Sequence, residues 1–289
     1  MVWLSSRWRI ALMVAPAIIV FTGLIVYPVI YSAGYSLTDF AGFGDPVFVG
    51  LKNYIDLWND PFFWSSLRNT LIILVVSIVV LVPSSFGLAL LLRRRFPGGG
   101  ALRALVFAPA IIAPILIGLI WVFILDPKIG MLNHFLGWLG LPQPEWIGGN
   151  VLTPYSVALV FIWSSVGFAM TIFYAGLQQL PGDVIEASSL DGASGWKQLL
   201  YVTVPLMKES FAIASVLLIT NVFKIFELVY VLTNGGPVHR SETLVSYMYF
   251  ITFTNQQYGS GMALAVIITV LGAVVSLAYL LVLRGRKSE

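Results

Sequence analysis

Cysteine is absent from the 289-residue chain, so it can hold neither a disulfide framework nor a thiolate metal or redox centre. Histidine is nearly absent. His134 and His239 stand far apart in loop-like sequence, which argues against a shared metal site. Charge is scarce as well: Asp, Glu, Lys and Arg make up 10% of the residues, against about 25% in a soluble domain. Hydrophobic residues make up 58%, and mean hydropathy is +0.91. Such a chain cannot keep a water-facing surface all round, so it reads as an integral membrane protein. The formal charge of +3 does not point to nucleic acid, because the cations cluster at the ends of apolar runs and form no basic stripe. A G-x-x-x-x-G-K-[ST] nucleotide loop is also lacking. Gly98-Gly99-Gly100 is followed by Ala-Leu, so this chain is not expected to hydrolyse ATP.

What the sequence does contain is six long apolar runs, at about 9–36, 66–92, 103–125, 153–178, 203–232 and 260–283. Each reaches the ~20 residues that a helix needs to cross ~30 Å of hydrocarbon. Residues 1–289 thus read as a single all-α transmembrane domain of six helices. The first run opens with Arg7 and Arg9, but it is too long for a signal-peptide core and lacks a small-x-small cleavage site, so it is expected to be retained.

Lys and Arg set the orientation. With both termini cytoplasmic, the inner side carries eleven: Arg7, Arg9, Arg93, Arg94, Arg95, Arg103, Lys197, Lys208, Arg284, Arg286 and Lys287. The outer loops carry four, Lys52, Arg68, Lys128 and Arg240, and Lys224 lies within a run. That is a positive-inside bias. Acids reverse it, with Asp39, Asp45, Asp56, Asp60, Asp126, Glu145 and Glu242 all outside. In the outer segment 37–65, Trp58, Phe62, Phe63 and Trp64 suit the headgroup region; contact with an external partner is the sharper alternative. The triple arginine 93–95 marks a cytoplasmic helix end and suits anionic lipid. Pro16, Pro28, Pro83, Pro109 and Pro114 fall inside the runs, and kinked helices around a cavity are one consequence.

The most informative stretch is polar. Pro181 to Pro205 reads PGDVIEASSLDGASGWKQLLYVTVP and separates the fourth run from the fifth, with 181–202 as its cytoplasmic part. Asp183 is placed to cap a new helix, with Glu186 three positions on completing a capping box. Ala187, Ser188, Ser189, Gly192, Ala193 and Ser194 are small, and Asp191-Gly192 supplies a turn. One reading is an amphipathic linker lying on the membrane. Such a helix wants a basic polar face, and 183–195 is acidic and small instead. A docking element fits better.

These residues resemble the permease subunits of binding-protein-dependent ABC importers, whose cytoplasmic signature is Glu-Ala-Ala, three residues, Gly, nine residues, Ile-x-Leu-Pro. Glu186, Ala187, Gly192 and Pro205 match at that spacing; Ser188, Val202 and Val204 depart mildly. Asp191-Gly192-Ala193 has the form of the sugar branch. LTNGGP (Leu232 to Pro237) followed by SETLVSYMYFITF resembles the outer loop of the maltose and glycerol-3-phosphate type permeases. A weaker block, Pro109, Trp121, Gly130 and Asn133, is similar too.

The resemblance implies a type I ABC importer permease fold in the cytoplasmic membrane of a bacterium or archaeon. It implies a coupling helix over 183–197 seated on a separate ATPase, with Glu186 making polar and charged contacts, Ala187 and Gly192 permitting close packing, and Ser188, Asp191 and Ala193 as further coupling residues. Pro205 would shape the start of the next helix. The implied partners are a second homologous permease, two ATPase subunits that carry ATP and Mg, and an extracytoplasmic binding protein. No cofactor is expected on this chain.

Charges within lipid are costly and mark functional candidates. Asn221, Lys224 and Glu227 lie in NVFKIFELVY; on a continuous helix Lys224 and Glu227 share a face and can pair. Counting back from Thr233 puts Lys224 about 13 Å below the outer end. A buried packing pair and a cavity wall are both open readings. On the resemblance, Asn221, Phe223 and Lys224 are candidate ligands for a sugar or sugar-like solute, with Glu227 positioning Lys224 and Trp163 a further stacking ring. A lysine there also suits an anionic solute. The competing class is a self-sufficient secondary carrier using the Lys224/Glu227 pair, but such carriers show internal repeats and none is found.

Overall fold

The computed structural model describes residues 7–94, 96–149, 151–236 and 241–285. Arg95, Pro237, His239, Arg240, Arg286 and Lys287, used in the sequence reading, lie outside them. The chain divides into two units. One comprises the residues before Pro61 with Met248–Val270; the other comprises Pro61–Tyr247 with the residues from Leu271 onward.

In the first unit, α1 (Arg7–Phe21) and α2 (Tyr27–Tyr35) are joined without interruption by a π-turn, Thr22–Val26. Pro28 accounts for the widening: it has no N–H to return to the carbonyl four residues back, and a wider turn relieves its ring clash. A two-residue antiparallel pair follows, β1 (Thr38–Asp39) with β2 (Val47–Phe48), and then α3 (Lys52–Trp58). Asn53 ties the unit together. Its Nδ2 donates to the carbonyls of Ser36 (2.8 Å) and Thr38 (2.9 Å), and its Oδ1 accepts from Ser260 Oγ (3.2 Å).

In the second unit, α4 (Pro61–Arg93) packs along α8 (Thr153–Gln178). Ile73, Leu81, Phe86 and Ala89 of α4 are buried, as are Val157, Val160, Phe173 and Leu177 of α8. Both helices are hydrophobic nearly all round, as spans with a protein-facing and a lipid-facing side must be. Phe86, Phe173 and Phe211 form a ring cluster with centroids 4.7 to 5.5 Å apart.

The third and fifth runs are not single rods. The third comprises α5 (Gly99–Phe107), a 3-10 turn (Ala108–Ile111) and α6 (Pro114–Leu125), bent by 97°. Pro109 opens the 3-10 turn. Ala113, held extended by the proline after it, ends the first limb, and Pro114 starts the second with its fixed φ. The fifth run starts as α10 (Trp196–Gln198), a π-turn (Leu199–Thr203) and α11 (Val204–Leu206), and bends by 69° into α12 (Lys208–Phe223). It then breaks at Lys224–Phe226 and resumes as α13 (Glu227–Thr233). The expectation of one continuous helix over 203–232 is therefore corrected.

Between these elements α7 (Met131–Trp138) and α9 (Gly182–Leu190) occupy the connections. α14 (Leu244–Tyr249), a π-turn (Phe250–Thr254) and α15 (Tyr258–Gly285) complete the order. Among the described residues four helices are long and apolar enough to cross a membrane, and six spans result if each bent pair counts as one.

Candidate functional site

Two regions gather the residues singled out above, and both arise from interrupted helices. The first is α9. It starts at Gly182 with Pro181 as an extended N-cap and no side-chain cap; Asp183 sits inside the first turn. The expected capping box is thus absent, and Asp183 acts only as a negative charge near the helix N-terminus, where the dipole favours it. The C-terminus closes by a Schellman motif: the Ala193 N–H donates to the Ser188 carbonyl (2.9 Å) and Gly192 N–H to that of Ser189 (3.2 Å). Gly192 has φ +81°, the left-handed region that a Cβ disfavours. Gln198 Nε2 braces the far side, donating to the Ile185 carbonyl (3.0 Å), Ser188 Oγ (2.9 Å) and Ser189 Oγ (3.0 Å).

None of the nine residues of α9 is buried. Glu186, Ala187 and Asp191 are exposed, Ser188 and Ala193 half-buried, and Leu190 is 88% exposed. A Cβ on Gly192 would meet nothing within 4 Å. Ser188 and Ser189 are accounted for by their bonds to Gln198 and Gly192 by its positive φ, whereas the small, exposed Ala187 and Ser194 are not explained by packing inside this chain. Pro205 stands at the second position of α11, just before the 69° bend.

The second region is a cavity of about 520 Å³ in the second unit. One wall is the bend of the third run (Pro109, Ala110, Ile112, Pro114, Ile117); another is Phe161, Ser164, Ser165 and Phe168 of α8; the third is Asn221, Lys224, Ile225, Glu227 and Leu228 at the break between α12 and α13. Two stretches of non-helical backbone thus border one largely apolar hollow that carries a few polar groups, and a membrane tolerates such backbone where it lines a cavity. The break is held open by Thr243, whose buried Oγ1 donates to the freed Ile225 carbonyl (3.0 Å). Close contact of α6 with α13 fixes the geometry, since a Cβ on Gly118 would come within 2.9 Å of Val231 Cβ.

Asn221, Lys224 and Glu227 are brought together on this wall and are exposed to it. Lys224 is the C-cap of α12 and Glu227 the first residue of α13. They do not share one helix face, and neither forms an ion pair among the described residues. The expected pair is therefore corrected: the break between them gives each group its own place on the wall. Phe223 is not on the wall. It is 3% exposed and turned against Gly272 of α15. Trp163 pairs edge-to-face with Trp121 (5.6 Å) and does not border the cavity. The rings that do are Phe161 and Phe168, which, with Ser164 and Ser165, the sequence reading missed. Serine within a lipid-crossing helix leaves a weak signal, because it can bond its own backbone, as Ser164 Oγ does to the Phe161 carbonyl (2.9 Å).

Comparison with known proteins bears on both regions. Residues 82–288, covering the cavity and α9, match the family described as binding-protein-dependent transport system inner membrane component. The chain is 32% identical over 283 residues to the probable ABC transporter permease protein YurN of Bacillus subtilis, covering 96% of this chain and 97% of the relative. It is 30% identical over 277 residues to the trehalose/maltose transport system permease protein MalF of Thermococcus litoralis, with 96% and 94% covered. A crystal structure of a bacterial alginate ABC transporter, in complex with an alginate pentasaccharide-bound periplasmic protein, contains a chain of the same fold. The TM-score is 0.79 at 21% identity, with 93% of this chain and 92% of that one covered.

Proposed function

The chain belongs to the binding-protein-dependent transport system inner membrane component family, as a multi-pass permease of the sugar branch of ABC importers, and from that premise we propose how it works. A binding protein on the outer side delivers a sugar or sugar-like solute. The solute passes through the cavity bordered by the two helix interruptions, where Asn221 and Lys224 bond its hydroxyl or acidic groups, Glu227 sets the polarity around Lys224, and Phe161 and Phe168 offer apolar faces. The exposure of Asn221, Lys224 and Glu227 on the isolated chain suits a cavity completed by a second, homologous permease. Two ATPase subunits, holding ATP and Mg, complete the importer in the cytoplasmic membrane.

The observation that carries the coupling part is α9: a helix with no buried residue, closed at its C-terminus by the Gly192 and Ala193 N–H bonds and braced by Gln198. In the proposal Glu186, Ala187, Ser188, Asp191, Gly192 and Ala193 seat it on an ATPase subunit, and Pro205 directs the chain from there into α12. Closure of the ATPases then biases two permease conformations, the differential contact that any such coupling needs. A self-sufficient carrier built on a Lys224/Glu227 pair finds no support, since that pair is not formed.

Ala187→Trp tests the coupling. Ala187 is exposed and helical, so a bulky ring there leaves the fold alone and obstructs docking. In proteoliposomes holding the whole importer, solute uptake should fall at least about tenfold while the amount in the membrane is unchanged. Uptake at the unaltered rate would sink the coupling role.

A further inference from the structure

A second cavity, of about 680 Å³, lies in the second unit where three helices terminate side by side. α4 ends at Arg93, α8 ends at Gln178, and α5 begins at Gly99. Arg93, Arg94, Arg103, Tyr174 and Gln178 line it with the Gly99–Gly100 backbone, and among the described residues no carboxylate does. Arg103 is fixed in place. Its Nη1 donates to the Leu92 carbonyl (3.2 Å) and to Tyr174 Oη (2.7 Å), and its guanidinium lies 4.9 Å from the centre of the Tyr174 ring.

Arg93 and Arg94 make no hydrogen bond or ion pair among the described residues. A basic residue at the C-terminus of α4 complements the helix dipole, but that does not account for three guanidiniums around one hollow, where they repel one another unless an anion joins them. The first turn of α5 starts at the same place. Its Gly99 N–H is already bonded to the Phe96 carbonyl (3.1 Å), which leaves the amides of Gly100 and Ala101 as donors there. The C-terminal ends of α4 and α8 oppose its dipole, so the arginines supply the positive charge. Guanidinium forks, helix-start amides and a phenol are the donor set that holds a tetrahedral oxyanion. The position selects among anions. α4 and α8 are helices of membrane-crossing length, so the cavity where both end lies at the depth of lipid headgroups.

We propose that this cavity binds a phosphate group, as the headgroup of an anionic lipid or as free phosphate. The inference is independent of the transported solute and of the ATPase docking described above.

The test uses the full chain purified in mild detergent, as wild type and as Arg93→Gln/Arg94→Gln. Lys128→Gln, in a loop away from the cavity, is the control for a general loss of charge. Each is equilibrated with phosphatidylglycerol or phosphatidylcholine, and retained lipid is counted by native mass spectrometry. Inorganic phosphate is titrated separately, with thermal unfolding as the readout. Wild type and Lys128→Gln should retain phosphatidylglycerol in preference to phosphatidylcholine. The double variant should hold it about thirtyfold more weakly, the loss that two basic residues beside an anionic surface carry. Phosphatidylglycerol retention without an inorganic phosphate effect assigns the site to lipid. Stabilisation by inorganic phosphate that the double variant loses, without lipid retention, assigns it to a soluble phosphate. Equal behaviour of wild type and double variant in both arms would overturn the proposal; an unchanged gel-filtration profile of the double variant excludes misfolding as the cause of a loss.

Discussion

Lys224 and Glu227 show how much a single residue's chemistry reveals and how little it says about geometry. Both were legible as candidates, because charge in an apolar run is costly enough to need a reason. Their pairing was not, since it assumed an unbroken helix, and NVFKIFELVY contains neither Pro nor Gly to announce a break. Phe223 was misplaced for a different reason: it was a candidate only on the resemblance, and as the last residue of α12 it is buried against Gly272 of α15. For Lys224, the separate place on the wall predicts a direct role. Lys224→Gln should lower uptake of the delivered solute about tenfold or more, the equivalent of losing a charge-assisted hydrogen bond of about 1.5–3 kcal/mol. Radiolabelled uptake in proteoliposomes, with subunit assembly checked on the same preparation, measures it. Unchanged uptake would return Lys224 to a packing role.

At the scale of elements, the prolines told part of the story. Pro109 and Pro114 mark the bend of the third run, and Pro28 and Pro205 each follow a widened turn. The break at Lys224–Phe226 comes instead from a residue distant in sequence, Thr243, which draws the Ile225 carbonyl out of the helical ladder. Thr243→Val keeps the shape and removes the donor, leaving a buried carbonyl unpaired at a cost of about 1–3 kcal/mol. The expected outcome is a lower unfolding temperature of the purified chain together with altered uptake; a variant that melts and transports like wild type would show that the break holds without Thr243. The connection after α6 offers a pH test. Asp126 accepts from the backbone N–H groups of Ile129 (2.9 Å) and Lys128 (2.8 Å), and these bonds hold its carboxyl below the usual carboxylate range. A lowered folded-state pKa means that its stabilising contribution is complete above about pH 4 and is lost as pH falls through the lowered value. Asp126→Asn should flatten the acid limb of a melting-temperature curve taken from pH 7 to 3, and an identical limb would exclude the contribution.

For the molecule as a whole, the membrane class and the number of apolar runs were plain from composition, because no polar surface was available to support another answer. The division into two units was not legible, since it depends on contacts between segments far apart in sequence. The uncovered state of α9 also appears only at this scale, and it bears on how the cell manages the chain. A nine-residue helix without a buried face is marginal on its own, and it displays Leu190 and the nearby Trp196 to water. If α9 docks as proposed, a copy without its partner displays this exposed helix to proteases, and docking hides it. Subunit stoichiometry would then be enforced by turnover. In a pulse-chase experiment the chain expressed alone should decay several times faster than the chain expressed with the ATPase proposed above, and deletion of 183–195 should slow the decay of the orphan; equal half-lives would mean that the surplus is removed by some other mark.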